Sequence, residues 1–122
     1  MSLPFAAGSL YSTVEDLYRW NIALHSEALL SQASLSQMFA SHTPLSYDDE
    51  TATGYGWVIV ESDGLRMFVH DGWINGYSSR LSYYPDDELT IIILSNLESA
   101  LLHNLHIKLF ELVTEEAATS SR

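Results

Sequence analysis

Helical spacing, then strict alternation, then a second helical repeat divide this chain into three stretches. Val14, Leu17, Tyr18, Asn21 and Leu24 recur every three or four residues, which predicts an amphipathic helix over 13–26. Ser12-Thr13-Val14-Glu15 forms a capping-box pattern, in which a hydroxyl serves the orphan N–H groups and Glu15 reaches back. Ser31 or Ser34 starts a shorter helix through Leu35, Met38 and Phe39, ending near His42-Thr43-Pro44. Residues 43–54 are polar and read as the longest loop.

From Tyr55 the period becomes two. Tyr55–Val60 reads as a strand, Ser62-Asp63-Gly64 as a hairpin turn, and Leu65–His70 as the returning antiparallel strand. Asp71–Tyr77 contains Gly72 and Gly76 and is expected to bend sharply. Ser79–Tyr84 is a third strand, Pro85–Glu88 a turn and Leu89–Ser95 a fourth strand. Thr90–Leu94 is apolar on both faces, the pattern of a central strand covered from two sides. Asn96 is the expected cap of a last helix running through Leu101, Leu105, Leu109 and Phe110 to Val113. The fold class is α+β: an antiparallel sheet of about four strands flanked by helices. Residues 1–5 read as a linker, 6–116 as one folded unit and 117–122 as a frayed tail.

Composition narrows the function. At 122 residues with 47% hydrophobic side chains the chain suits one globular domain. A net charge of −11 argues against nucleic acid or an anionic membrane as partner, since both need a basic surface. The acids fall in short clusters, Asp48-Asp49-Glu50, Asp86-Asp87-Glu88 and Glu115-Glu116, which read as solvated surface. The absence of cysteine removes disulfides, thiolate nucleophiles and cysteine-based metal sites. No apolar run approaches the length of a membrane span.

His70-Asp71-Gly72-Trp73-Ile74-Asn75-Gly76-Tyr77-Ser78 carries the candidate chemistry. By alternation, Arg66, Phe68 and His70 share one strand face, and Leu65, Met67 and Val69 the other. A titratable ring therefore stands at a strand end, two residues before a glycine. That suits a strand lining a cleft, where the glycine admits a substrate and the next N–H points at a developing oxyanion. Taken on spacing alone, His70 reads rather as a satisfied or solvent-facing histidine at a strand end. Asn75 either shapes the glycine loop or reaches a ligand. Trp57, Trp73, Tyr83 and Tyr84 could form an aromatic ligand wall, but Trp57, like most of them, reads as sheet packing, whereas Trp73 sits in the glycine loop.

Ordered fragments along the chain resemble one family, the serine β-lactamases, DD-peptidases and related esterases, especially members similar to class C enzymes. They are Ala6-Ala7-Gly8-Ser9-Leu10-Tyr11-Ser12-Thr13 with Glu15-Asp16-Leu17, then Leu29-Leu30-Ser31, then Tyr55-Gly56-Trp57. His70-x-Gly72 with Gly76-Tyr77-Ser78 is similar to the family's third active-site motif, and Tyr84-Pro85-Asp86 and Ser95-Asn96 to its ending. The resemblance implies that His70 takes the place of the motif's cation and that Trp73 supplies an oxyanion-hole N–H, these two being the catalytic candidates. It implies substrate contacts at Gly72, Asp71 and Asn75, no metal and no cofactor, and a small-molecule or peptide substrate. Asp71 replaces the small residue usual there; an acid at that point opposes an anionic substrate and leaves esterase chemistry open.

The other motifs are missing. The single lysine, Lys108, follows Leu105 by three places, so there is no Ser-x-x-Lys, and there is no Tyr-x-Asn or Ser-x-Asn. The expectation is therefore a C-terminal portion of such a hydrolase, inactive alone, lacking the N-terminal half of its domain and prone to form a homodimer or larger oligomer. The alternative is a freestanding binding module built on the same half-fold. Two other motifs are set aside. Gly76-Tyr77-Ser78-Ser79-Arg80 lacks the last glycine of a nucleophile elbow, and His103 with His106 has helical metal spacing but no evident third ligand.

Overall fold

The computed structural model describes residues 8–45, 50–98 and 100–120. The linker reading of residues 1–5, the Ala6-Ala7 fragment and the Asp48-Asp49 pair lie outside them, as do Ser121 and Arg122. Helix α1 spans Val14–His25. Its cap is Thr13, one residue later than the capping-box reading, with the Asp16 N–H donating to Oγ1 at 3.1 Å. Helix α2 spans Gln32–Met38 behind the Ser31 cap.

Among the described residues six strands, not four, form the sheet: β1 Thr43–Pro44, β2 Thr51–Thr53, β3 Val58–Ser62, β4 Leu65–Ile74, β5 Tyr77–Tyr84 and β6 Leu89–Ser95. They run as an antiparallel meander in sequence order. The two extra strands lie in the stretch read as loop. At two and three residues they are too short for alternation to register. The sharp bend expected over Asp71–Tyr77 is confined to Asn75-Gly76, where Gly76 has φ 85°, and β4 runs on through Gly72 to Ile74. Asp63 and Gly64 both have positive φ, as a two-residue I′ hairpin requires.

Each sheet face has its own core. Leu24 of α1 and Leu35 and Phe39 beside α2 pack with Trp57, Ile59, Phe68 and Leu81 on one face. On the other, Tyr84, Ile91 and Ile93 meet Leu102, Leu109 and Phe110 of α3, which spans Leu102–Ser120. Both helices lie against β6, so that strand is covered from two sides as its composition predicts. Among the described residues it is nevertheless the last strand of the sheet rather than a central one. Asn21 is buried in α1 and donates to Thr90 Oγ1 at 3.0 Å, tying the helix to β6. Asn96 does not cap α3, because the chain needs six residues to leave the end of β6 before the helix starts. That helix then continues through residues 117–120, which composition assigns to a tail.

Ile59 is 1% exposed at the centre of the first core. Ile59→Ala is expected to lower unfolding free energy by about 2–5 kcal/mol, through lost transfer energy and an unfilled cavity. Urea denaturation checks this, and a loss under about 1 kcal/mol would mean that the core collapses around the gap.

Candidate active site

The register of β4 decides what its side chains can do. Pairing with β5 runs from Phe68↔Tyr83 to Ile74↔Tyr77, whereas pairing with β3 stops at Val58↔Val69. His70–Ile74 therefore has one edge paired and one edge beyond the end of β3. In a two-residue hairpin the residues flanking the turn form a hydrogen-bonded pair. Ser62↔Leu65 and Ile74↔Tyr77 both flank such turns. Counting from either one, the backbone N–H groups of Val69, Asp71 and Trp73 face the β3 side. Those of Asp71 and Trp73 lie past Val58, on the open edge.

Side-chain parity puts His70 and Gly72 on the face of α1 and α2, with Phe68. Here His70, Ser79, Leu81 and Leu94 form the floor of a cleft of about 410 Å³, walled by Leu17 and Trp20 of α1, Met38, and the Tyr55–Trp57 turn. Trp20 and Trp57 stack with ring centroids 6.2 Å apart. Gly72 lies opposite Ser79, and a Cβ at position 72 would run into the Ser79 hydroxyl. The absence of a side chain there keeps the floor low beside His70.

Asp71 and Trp73 project from the opposite face. The Asp71 carboxylate, expected to confront the substrate, instead accepts two hydrogen bonds from Arg80, each 2.7 Å long. The pair is directly cross-strand, and Arg80 also reaches His103 Nδ1 at 3.1 Å. The register thus gives the acid a partner on the α3 side. Trp73 is 73% exposed; its ring is outside the cleft while its N–H is on the open edge. Asn75 is exposed in the turn, where the Gly76 N–H donates to Glu98 Oε2 at 3.0 Å. Ser78 is buried and donates to the Leu97 carbonyl, as a structural hydroxyl does. His103 and His106 do not converge on a metal: the first meets Arg80, the second hydrogen-bonds the Tyr84 hydroxyl at 3.0 Å. No cluster of three or more metal-ligating side chains occurs among the described residues.

Comparison with known proteins shows the family and the fold. The β-lactamase family model matches residues 2–109. The chain belongs to the β-lactamase family. Penicillin-binding protein 4* of Bacillus subtilis (strain 168) is 35% identical over 92 residues, covering 75% of this chain and 20% of that protein. The crystal structure of a penicillin binding protein from Bacillus halodurans shares the fold with a TM-score of 0.75 at 22% identity, covering 82% of this chain and 30% of that one. The chain thus spans about a fifth of the length of the first relative and under a third of the second.

Within this β-lactamase-family fold, sequence reasoning found the His70 strand but missed the wall that α1 contributes to the cleft. Leu17 reads as helix face and Trp20 stands outside the apolar repeat, and nothing in the local pattern places α1 beside the Tyr55–Trp57 turn. The Asp71–Arg80 pair was within reach of sequence, by counting back from Asn75-Gly76 as a two-residue turn.

Two histidines outside the cleft respond to acid. Burial, with the nearby Arg80 and His103 charges, lowers the His106 pKa from 6.5 to about 4. His25, packed against Phe39 and Tyr83, is also lowered by burial. Between these limits the unfolded chain binds more protons than the folded one. This stabilising contribution is therefore complete above about pH 6.5 and is lost as pH falls toward 4. The urea midpoint is expected to be lower at pH 5 than at pH 7.5, before ordinary carboxylates titrate near pH 4, and to fall less in His106→Gln. An unchanged midpoint in the native protein would contradict this.

Proposed function

We propose that this chain forms the His-x-Gly wall of a serine-hydrolase active site whose nucleophile is supplied by other sequence. The observation that carries the reading is the conjunction at β4: the His70 ring on the cleft floor and the Trp73 N–H on the open edge of the same strand. A carbonyl lying along that edge would meet the Trp73 N–H as an oxyanion donor, with His70 within reach of the substrate or the leaving group. Gly72 allows the close approach, and the exposed Asn75 borders the far end. Asp71 acts through its tie to Arg80, holding β4 against β5, rather than by touching substrate. The 122 residues contain no Ser-x-x-Lys pair, so the family's acyl-enzyme route is closed to the chain by itself. Peptides, β-lactams and esters all fall within this reaction type.

The chain alone is expected to give no hydrolysis of nitrocefin or p-nitrophenyl esters. In a protein extended to include a Ser-x-x-Lys segment, His70→Ala is expected to lower kcat/KM by roughly 10–1,000-fold, the range for one positioned polar or acid–base group. The melting temperature should hardly move, because the ring is exposed. A normal rate with a large stability loss would make His70 structural. Turnover by the chain alone that vanishes in Ser78→Ala would install a different nucleophile. Ligand binding without any hydrolysis in the extended protein would favour a freestanding binding module.

The sheet's open side bears on assembly. Among the described residues β6 has no strand beyond it, α1 leaves Val14, Tyr18 and Ile22 exposed, and Leu101 just before α3 and Leu105 and Leu112 within it are exposed too. His103, His106 and Phe110 turn toward β5 and the Tyr84 ring, so the Leu105 and Leu112 flank of α3 lies on the β6 side. An apolar border on an unpaired strand favours association. The isolated chain is proposed to form a homodimer or larger oligomer through this side. Salt should strengthen the assembly by screening the net charge of −11. Sedimentation at micromolar concentration tests this; a monomer with cooperative unfolding would show that the unit is self-sufficient.

A further inference from the structure

The charge inventory around the cleft is unusual for a site that would hold an anionic substrate. None of the cleft-lining side chains is acidic, and the one permanent cation among them, Arg80, turns its guanidinium to the other sheet face, onto Asp71. The other described arginines are also engaged: Arg19 with Asp16 at 3.0 Å and Arg66 with Glu61 at 2.9 Å. Lys108 is on α3, across the sheet. Among the described residues of this chain an incoming carboxylate would therefore leave water without gaining a fixed positive partner, against a net charge of −11. The walls are apolar and aromatic instead: Leu17, Met38 and the exposed rings of Tyr55 and Trp20, with the buried Trp57 stacked behind Trp20. Such faces reward a flat ring through area and offset stacking. A volume of about 410 Å³ falls in the range of roughly 300–1,000 Å³ typical of small-molecule sites.

We propose that this cleft selects an uncharged ester bearing a flat aromatic group, seated between the Trp20–Trp57 wall and the His70–Ser79 floor, and discriminates against carboxylates of the same shape. That the ligand is an ester rests on the hydrolase reading; that it is uncharged and aromatic rests on the cleft alone.

The test uses the native chain and reads binding without turnover. Methyl phenylacetate and phenylacetate share a ring and differ in charge. They are titrated at pH 8, following tryptophan fluorescence and the His70 ring signals by NMR. The neutral ester is expected to bind at least about tenfold tighter than the anion. Trp20→Ala should weaken the ester by about tenfold or more, with the folded spectrum used as control. Leu94→Arg, which places a cation at a half-open floor position, should improve phenylacetate binding and reduce the discrimination; a gain of this kind does not come from unfolding. Equal or tighter binding of phenylacetate, tighter binding of benzyltrimethylammonium than of the ester, or no effect of Trp20→Ala would overturn the proposal. These results are independent of catalysis. An extended protein that hydrolyses esters but prefers anions defeats this inference alone, whereas ester binding without hydrolysis by any extended protein defeats the hydrolase reading alone.

Discussion

The pairing of β4 with β5 is the constraint on which the rest depends. Its register is fixed by a two-residue turn, Asn75-Gly76, whose positive φ at Gly76 costs a glycine little. Once that turn closes, Arg80 stands opposite Asp71, Ser79 opposite Gly72 and Leu81 opposite His70. A slip by one residue would send each of these side chains to the wrong face. The bidentate Asp71–Arg80 contact is the polar lock on this register. Arg80 is mostly sheltered, with 11% of its side chain exposed against 55% for Asp71, so the pair is worth more as a geometric constraint than as a surface ion pair.

The two faces of β4 and β5 then divide the work. One face buries Phe68 and Leu81 under α1 and α2 and opens, beyond their cover, into the cleft. The other face carries Asp71, Arg80 and Tyr84 against α3, with His106 bonded to the Tyr84 hydroxyl. Burial raises the Tyr84 pKa to about 12, Asp87 adding to and Arg80 opposing that effect, so the phenol stays a neutral hydrogen-bond partner. His106 Nδ1 is buried without a partner, as are Asn21 Oδ1 and Ser82 Oγ. These polar atoms sit where α1 and α3 meet the sheet, and they specify that seating at a cost in desolvation.

What was legible in the sequence follows from range. The helix period of Val14–Leu24, the alternation of Leu65–His70 and the Asp63-Gly64 turn are local signals, and each corresponds to an element of the fold. The β-lactamase-family resemblance was also legible, because it rests on short ordered fragments. Strands of two and three residues carry no period, so β1 and β2 were read as loop. The apolar Leu89–Leu94 run reported cover on both faces correctly but not edge position, since hydrogen-bond partners leave no mark on side-chain composition. Asp71 was misplaced for a related reason. Motif alignment assigns it a neighbourhood, while strand parity assigns it a face.

That parity limits how the chain can change in length. Leu65–Ile74 is bounded by two tight turns, and both ends are pinned by pairing, to Ser62 at one end and Tyr77 at the other. Adding or removing one residue between the turns would exchange the faces of His70 and Asp71, bringing the carboxylate into the cleft and burying the imidazole beneath α3. Only a bulge could absorb the mismatch. Insertions of two residues preserve the faces but shift the cleft along the strand by about 7 Å, away from Trp20 and Trp57. Diversification by insertion or deletion is thus steered out of β4 and into connections that no strand pairing pins, such as residues 26–31 between α1 and α2, where a change in length leaves every face of the sheet where it was.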